Sequence, residues 1–585
     1  MLNKNKNEEE DNNNKPIKIE EVELNPDRNT FENELRREYS KEDINNYFNT
    51  INENKILCWE NKLLEYQLPI RDFSNVTDPD ILNEKYHDII TMRIIKGDIE
   101  RTRVYESLYM HNFKEYLYQI IIYYLNRNKI AYKQGLNEIA APFILLKYKL
   151  KISFTRIYKM LVCFIDKFLT NYYHEKEFFS LRSSYSLINL LLRYHIPEIF
   201  DKFEYFLITP DLYATPWIIT LFSIKCNLNV LYYLWDKIIL FDDVLFPHFF
   251  ITAYLMMNKD KFLNVDSSLI LTALSKLQME SIEEVIKIIN VSVEIKDKTP
   301  NSIYLLSTKL EIFNYYSTQL ESLYNEYKPN KMLALPMFAN DIFCITYKNL
   351  IGCPDENCEN FLKPRNFNNL SKCIYCRDRQ LKKKISYIIF DLRIFENDEN
   401  ENIFSANYGG SFPGFLPKSL RISKEQLNDE NFPENILKDY KNEKDNYHFI
   451  LITSETNYFK KYEKEFYKKS DKRNSKLGVF FKDYKELNVK KVEEVFHNNK
   501  NKNKKEYILF KEYDNFKKII KAMNKKGFKY VSYIYGGYKE IHSFAMKYKI
   551  DLLGHGPKCF LCQKEPKQKE NNFSFFRLLS IKKEN

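Results

Sequence analysis

The rhythm of apolar and polar positions changes twice along the chain. Residues 1–50 are rich in Asn, Glu and Lys with few apolar anchors, and are expected to form a disordered polar N-terminus. From about residue 55 to 325 the pattern becomes long apolar segments at helical spacing. SYSLINLLLRYHIPEIFDKFEYFL and VLYYLWDKIILF place Leu, Ile, Phe and Tyr three and four residues apart. Breaks at Pro197, Pro210, Pro216 and Pro247 divide these runs into medium helices joined by short loops. The pattern predicts an all-helical domain.

Beyond it the spacing shortens to that of strands. SYIIFDLRI (386–394), YHFILITS (447–454), YILF (507–510) and KYVSYIYGG (529–537) read as β-runs, alternating with helical segments such as NFKKIIKAMNKKG. That alternation predicts βαβ units around a mostly parallel sheet. A Lys/Asn-rich stretch at about 460–506, including HNNKNKNKKE, offers little to bury and reads as an insertion in this domain.

Composition narrows the chemistry. Only 12 of the 585 residues are glycine, and neither GxxxxGK[ST] nor GxGxxG occurs, which argues against P-loop and Rossmann enzymes. The 44 Tyr and 44 Phe must mostly be buried. The net charge of +11 comes from lysine interleaved with Glu, Asn and Asp, a pattern of solvated surface rather than a nucleic-acid footprint. Apolar runs such as YLYQIIIYYL stop short of the ~18 residues a membrane span needs, and no secretory apolar run opens the chain, so no transmembrane segment is expected. A cytosolic setting follows, where ten cysteines point to metal ligands or thiols rather than disulfides.

Two short strings in the helical region carry candidate chemistry: Ile95-Lys96-Gly97-Asp98-Ile99-Glu100-Arg101-Thr102 and Tyr132-Lys133-Gln134-Gly135-Leu136-Asn137-Glu138. Taken singly, the first is a surface ion pair on a helix and the second a helix-end turn. Together they resemble the TBC domain of Rab GTPase-activating proteins. Ile95, Asp98 and Arg101 match its IxxDxxR element, and Tyr132, Gln134 and Gly135 its YxQG element. The stretch from Pro210 to Trp217, with Trp235-Asp236, resembles its Trp-containing helices and WD element.

The resemblance implies that Arg101 and Gln134 are an arginine and a glutamine finger supplied in trans to a GTP-loaded Rab-type GTPase, which brings its own GTP and Mg. The residue types suit that task. A guanidinium holds fixed, forked, permanently charged donors for developing phosphate charge, and an amide both donates to and accepts from an attacking water. Such an arginine is typically worth ~10³–10⁵ in rate. Asp98 and Tyr132 would then fix the two finger loops, Asn137 would cap the helix after Gly135, and Trp217 and Trp235 would be core. The family commonly follows Arg-Thr with an aromatic residue and a proline, whereas Arg103 and Val104 stand here. That departure keeps a second reading open, a non-catalytic trafficking adaptor that binds a GTPase or golgin and bridges vesicles.

Cys353, Cys358, Cys373 and Cys376 form C-x4-C-x14-C-x2-C within a polar stretch at 340–380. Paired cysteines at this spacing can surround one tetrahedral Zn²⁺, so a structural zinc connector is expected there, the alternative being four buried apolar thiols. His555, Cys559 and Cys562 offer three further ligands, either completed by a distant residue or left as thiols. Cys58, Cys163, Cys226 and Cys344 sit in apolar contexts and are expected in the core.

Residues 384–556 resemble a rhodanese-like domain, through Phe390-Asp391-Leu392-Arg393, the Gly409–Gly414 stretch, and Val531 to Gly537. No cysteine lies between Cys376 and Cys559, so the nucleophile of such a domain is missing and a docking scaffold is implied. The TBC–rhodanese order is similar to that of TBC-containing kinase-like proteins and of TBC–rhodanese adaptors of Golgi and endosomal traffic. Only some fifty polar residues come before the helical region, so no kinase-like module is expected. The expectation is a multidomain chain: an all-α TBC domain at 55–325, a zinc-binding connector at 340–380, an α/β rhodanese-like domain at 384–556 and a tail at 557–585. It would activate a Rab-type GTPase at the cytoplasmic face of an endomembrane.

Overall fold

Asp88 shows how the helices of the first half are set. Its carboxylate accepts from the backbone N–H groups of Ile90 and Thr91, starting a helix in which Ile95 and Ile99 are buried. This computed structural model describes residues 47–64, 72–86, 88–104, 112–314, 317–346, 385–394, 413–456, 504–557, 559 and 561–562. The longer helices of the first half are α1 (Glu53–Leu64), α2 (Ile89–Arg101), α3 (Phe113–Asn128), α4 (Leu136–Leu150), α5 (Phe154–Phe168), α6 (Phe179–His195), α7 (Leu228–Phe241), α8 (Phe246–Met257) and α9 (Ile282–Lys298). Ser153, Asn227 and Ser281 cap α5, α7 and α9 by accepting from Arg156, Val230 and Glu284 N–H. With so few glycines available, the left-handed residues that end helices fall instead on Lys129, Lys151 and Asp242, at a backbone cost of roughly 1–2 kcal/mol each.

Helix α7 is buried on almost every side and forms the axis of the helical core. Trp217 and Trp235 lie in that core as expected, and Trp235 Nε1 donates to Leu221 O at 2.9 Å. The neighbouring Asp236 is a buried carboxylate. It accepts from Trp59 Nε1 at 2.8 Å and Tyr47 Oη at 2.7 Å and pairs with Lys55 at 3.0 Å, tying the first helices onto α7.

The second half is a five-stranded parallel sheet in the order β1-β6-β5-β2-β4, formed by β1 (Leu335–Met337), β2 (Ser386–Asp391), β4 (Ser419–Arg421), β5 (Tyr447–Ile452) and β6 (Val531–Ile534). A separate antiparallel ribbon pairs β3 (Pro413–Phe415) with β7 (Leu553–His555). Helix α10 (Ala339–Thr346) and α12 (Tyr538–Lys547) cover one face of the sheet, and α11 (Lys504–Lys525) covers the other. Strand alternation sorts the side chains: Phe449 and Leu451 face α11, whereas Ile450 and Ile452 face α10 and α12. Both faces being buried explains the apolar run Phe449–Ile452 of β5.

Three features differ from expectation. YILF opens α11 instead of forming a strand, and buried Leu509, Phe510, Tyr513, Phe516, Ile520 and Met523 continue a helical stripe from it. The sheet begins at Leu335, well before 384, and the 340–380 stretch starts inside the α/β core, where Phe343 of α10 stacks on Phe544 at 5.3 Å. Cys58 is exposed, while Cys163, Cys226 and Cys344 are buried. Residues 1–46, the bulk of the insertion (457–503) and 563–585 lie outside the described residues, as do Cys353, Cys358, Cys373 and Cys376.

The two halves share a packed seam. Tyr530 N–H donates to Tyr194 O at 2.7 Å, and the Tyr530 ring meets those of Tyr194 and His195 at 5.4 and 5.6 Å. Ser302 donates to Asp341 Oδ2 from both N and Oγ at 2.8 Å, and Arg193 Nη1 reaches Met332 O at 2.9 Å. His448, on β5 at this seam, lies 2.6 Å from Ser532 Oγ and edge-on to Tyr194. Burial pulls its pKa down from 6.5 to about 3. The folded chain therefore leaves His448 neutral while the unfolded chain protonates it, so its contribution is intact above pH 6.5 and shrinks as pH falls toward 3. The stability of the wild type relative to a His448→Gln variant should drop by about 1.4 kcal/mol per pH unit between about pH 6 and 4, read by urea unfolding at each pH. A difference independent of pH would contradict this.

Candidate functional site

Helix α2 carries Asp98 on its inner side, with a side chain only 5% exposed, and Arg101 one turn later with 74% exposed. A buried carboxylate needs donors, and three converge on it. Arg101 Nη2 donates to Asp98 Oδ1 at 2.6 Å, Gln134 Nε2 approaches the same oxygen at 3.4 Å, and Tyr132 Oη donates to Oδ2 at 2.9 Å. Arg101 and Gln134, more than thirty positions apart in sequence, thus meet over one oxygen atom and both face solvent. Burial, with Asp98 beside it, pushes the Tyr132 hydroxyl far above its ordinary range, so it stays a donor at any relevant pH.

The glutamine loop is held from both sides. Lys133 donates to the carbonyls of Tyr172 and Glu175 and lies over the Phe178 ring. Burial lowers its pKa to about 8. Gly135 takes φ +107°, and a Cβ there would stand 3.2–3.3 Å from Ile219, Thr220 and Tyr173, so neither the conformation nor the space suits a side chain. Gly135, not Asn137, is the residue that caps α4. Asn137 instead joins the two loops. Its Oδ1 accepts from Gly135 N–H at 3.0 Å, and its Nδ2 donates to Thr102 Oγ1 at 2.7 Å; Thr102 in turn donates to Asp98 O.

Arg103, the departure noted in the sequence, is a structural clamp. Its side chain is 8% exposed. It donates from Nη1 to Cys226 O at 2.9 Å, and from Nη2 to Ser223 O at 2.5 Å and Ser223 Oγ at 2.9 Å. The chain of contacts starts with Pro142 inside α4. Proline has no N–H, so the carbonyl of Glu138 four residues earlier loses its helical donor. Ser223 Oγ replaces it at 2.9 Å, and is then oriented to accept from Arg103. The signal for this was Pro142 itself, since a helix-internal proline announces a carbonyl that needs another partner.

Helix α2 also presents an apolar edge. Ile90, Ile94, Gly97 and Arg101 follow at spacings of four, three and four, hence on one face. Ile90 and Ile94 are exposed, and no atom lies within 4 Å of where a Gly97 Cβ would stand.

Residues 58–263 match the family model of the Rab-GTPase-TBC domain. The chain carries a Rab-GTPase-TBC domain. Its curated relatives include the TBC domain-containing protein kinase-like proteins of Homo sapiens, 26% identical over 182 residues (31% of this chain, 20% of the relative), and of Dictyostelium discoideum, 28% over 178 residues (30% and 17%). The Rab GTPase-activating protein tbc-11 of Caenorhabditis elegans is 24% identical over 271 residues, 44% of this chain and 26% of that protein. The chain thus spans about a fifth of the length of the first of these curated relatives. Among solved structures, the Ypt/Rab-GAP domain of Gyp1p aligns at 17% identity and a TM-score of 0.32, covering 41% of this chain and 79% of that one. The Chlamydomonas flagellar RabGAP TBC domain aligns at 15% and 0.27, covering 41% and 84%. Arg101 and Gln134 fall within the matched TBC domain, as do Pro142 and Arg103.

In the α/β half, Asp391 and Arg393 form a buried fork, with Nε–Oδ1 2.8 Å and Nη2–Oδ2 2.6 Å, and the guanidinium lies 3.6 Å over Tyr538. His555, Cys559 and Cys562 come together, and His542 of α12, which the sequence reading missed, joins them. No helix among the described residues is long and apolar enough to cross a membrane.

Arg103→Ala should destabilise the TBC domain by about 2–4 kcal/mol, because charge-assisted bonds to two carbonyls are lost together. Arg103→Lys should recover only part of this, lacking the fork. Denaturant unfolding of the three proteins tests it; a loss below ~0.5 kcal/mol for Arg103→Ala would mean the clamp is idle.

Proposed function

We propose that the chain is a GTPase-activating protein for a Rab-type small GTPase, with Arg101 and Gln134 entering the partner's nucleotide site in trans. The meeting of these two exposed side chains over Asp98 Oδ1 carries the reading. With one nitrogen on Asp98, the rest of the guanidinium fork is available to charge developing on the phosphates. With its Nε2 toward Asp98, the glutamine presents Oε1 to accept from the attacking water. GTP and Mg belong to the partner.

The apolar edge of Ile90 and Ile94, leading along α2 to Arg101, supports a docking face on the same side as the fingers. Arg103 supports an intact finger loop, since the residue that departs from the family's habit anchors that loop rather than distorting it. The α/β half fits a silent rhodanese-like scaffold that recruits the protein, through a golgin or a similar trafficking protein, to a Golgi or endosomal membrane. Its parallel sheet and the lack of any cysteine between Cys376 and Cys559 support that role.

GTP hydrolysis by a panel of Rab proteins tests the proposal. Wild-type protein should accelerate one or a few of them. Arg101→Ala should cost ~10³-fold or more of that acceleration, and Gln134→Ala a large share of it. Ile94→Asp should lower kcat/KM while leaving the melting temperature within a degree or two, since the side chain is exposed. No acceleration by wild type across the panel, with GTP-dependent binding kept, would replace the activator with a Rab-binding adaptor.

A further inference from the structure

We propose that His542, His555, Cys559 and Cys562 bind one zinc ion that clips the end of the described chain onto helix α12. This rests on the α/β half alone and is independent of the GTPase reading. His542 sits on α12 and is fully buried; His555 closes strand β7, which pairs with β3; Cys559 is buried and Cys562 exposed. Their ligand atoms all lie within 4.8 Å of one another.

Four of the six distances between them match the edges of a tetrahedron around zinc. Zinc bonded to nitrogen at 2.0–2.1 Å and to sulfur at 2.3 Å sets its ligands about 3.3 Å apart for N···N and about 3.5 Å for N···S. Here His542 Nε2 and His555 Nε2 are 3.2 Å apart, His542 Nε2 is 3.3 Å from Cys559 Sγ and 3.4 Å from Cys562 Sγ, and His555 Nε2 is 3.6 Å from Cys562 Sγ. Hydrogen bonding cannot account for this convergence. An imidazole nitrogen carries one proton or one lone pair, yet three ligand atoms crowd His542 Nε2 at 3.2–3.4 Å. A cation between the four atoms satisfies all of them, with both thiols as thiolates. No disulfide joins the two cysteines.

Two sulfurs and two imidazoles in a tetrahedral array suit zinc. Four protein ligands leave no open position, so the ion is structural rather than catalytic. It would hold the β3–β7 ribbon against α12, whose Tyr538 lies beneath Arg393 and donates to Pro413 O at 3.1 Å.

Zinc content of the full-length chain, purified without chelator and measured by elemental mass spectrometry, decides the matter. Cys562→Ser and His555→Ala alter the two more exposed ligands, and each should lower the content by one equivalent per chain relative to wild type. Any zinc on Cys353, Cys358, Cys373 and Cys376 would remain in all three proteins. Equal content in wild type and both variants overturns the site. Should a variant fail to fold, X-ray absorption at the zinc edge of the wild type answers alone. Histidine scattering in the coordination shell supports the site; an all-sulfur shell, or no zinc, overturns it.

Discussion

A carboxylate buried at the inner side of α2 governs the arrangement of the helical domain's working surface. An unpaired charge at that depth is costly, so Asp98 must be met by donors, and those donors come from its own helix, from Tyr132 and from the Gln134 loop. Satisfying one buried charge therefore draws two exposed polar side chains to one place. The links behind it are equally obligatory. Thr102 and Asn137 close the gap between the loops, and the carbonyl released by Pro142 recruits Ser223 and through it Arg103, fixing a third segment. Each contact answers a polar group that would otherwise be buried without a partner.

The second constraint is the seam between the halves. Strand β1 follows the helical domain directly and pairs in parallel with β6, so the sheet is completed by a segment on the far side of the cysteine-rich stretch. Met332, Leu335, Phe338 and Tyr530 belong to the same apolar cluster as the helical core. A partner gripping the α/β half would accordingly hold the TBC domain through a packed interface, not through a loose linker.

Legibility in the sequence followed the range of each signal. The helical periodicity, β2, β5, β6 and the spacing of the Asp98–Arg101 and Tyr132–Gly135 strings are local patterns, and the structure contains these elements where the spacing put them. β1 was invisible because three residues around Pro336 show no alternation, and only pairing with β6 makes them a strand. YILF misled because four apolar residues fit either period, and the stripe that decides it lies further along, at Tyr513 to Met523. His542 escaped because nothing in its own helix distinguishes it; only the turn of β7 back toward α12 sets it against His555 and the two cysteines. Arg103 read as a departure because its partners, Ser223 and Cys226, are more than a hundred residues away.

The carboxyl ends of the parallel strands are where open α/β sheets ordinarily take ligands, and in this sheet that edge is occupied from within. Backbone N–H groups exposed there would attract an anion, but Glu512 from α11 already takes them. It accepts from Ile394 N at 2.9 Å and from Ser454 N and Oγ at 2.7 Å. Burial, reinforced by nearby Asp391, raises the Glu512 pKa to about 7 in spite of those bonds. The adjoining loop is filled as well: Gly536 N–H donates to Thr456 Oγ1 at 2.7 Å, Tyr538 N–H to Thr453 O at 2.8 Å, and a Cβ on Gly537 would strike Glu455 N at 2.7 Å. An incoming anion would have to displace an internal carboxyl group that is already hydrogen-bonded on both oxygens. The donors at this sheet edge are thus committed to the chain's own Glu512 side chain.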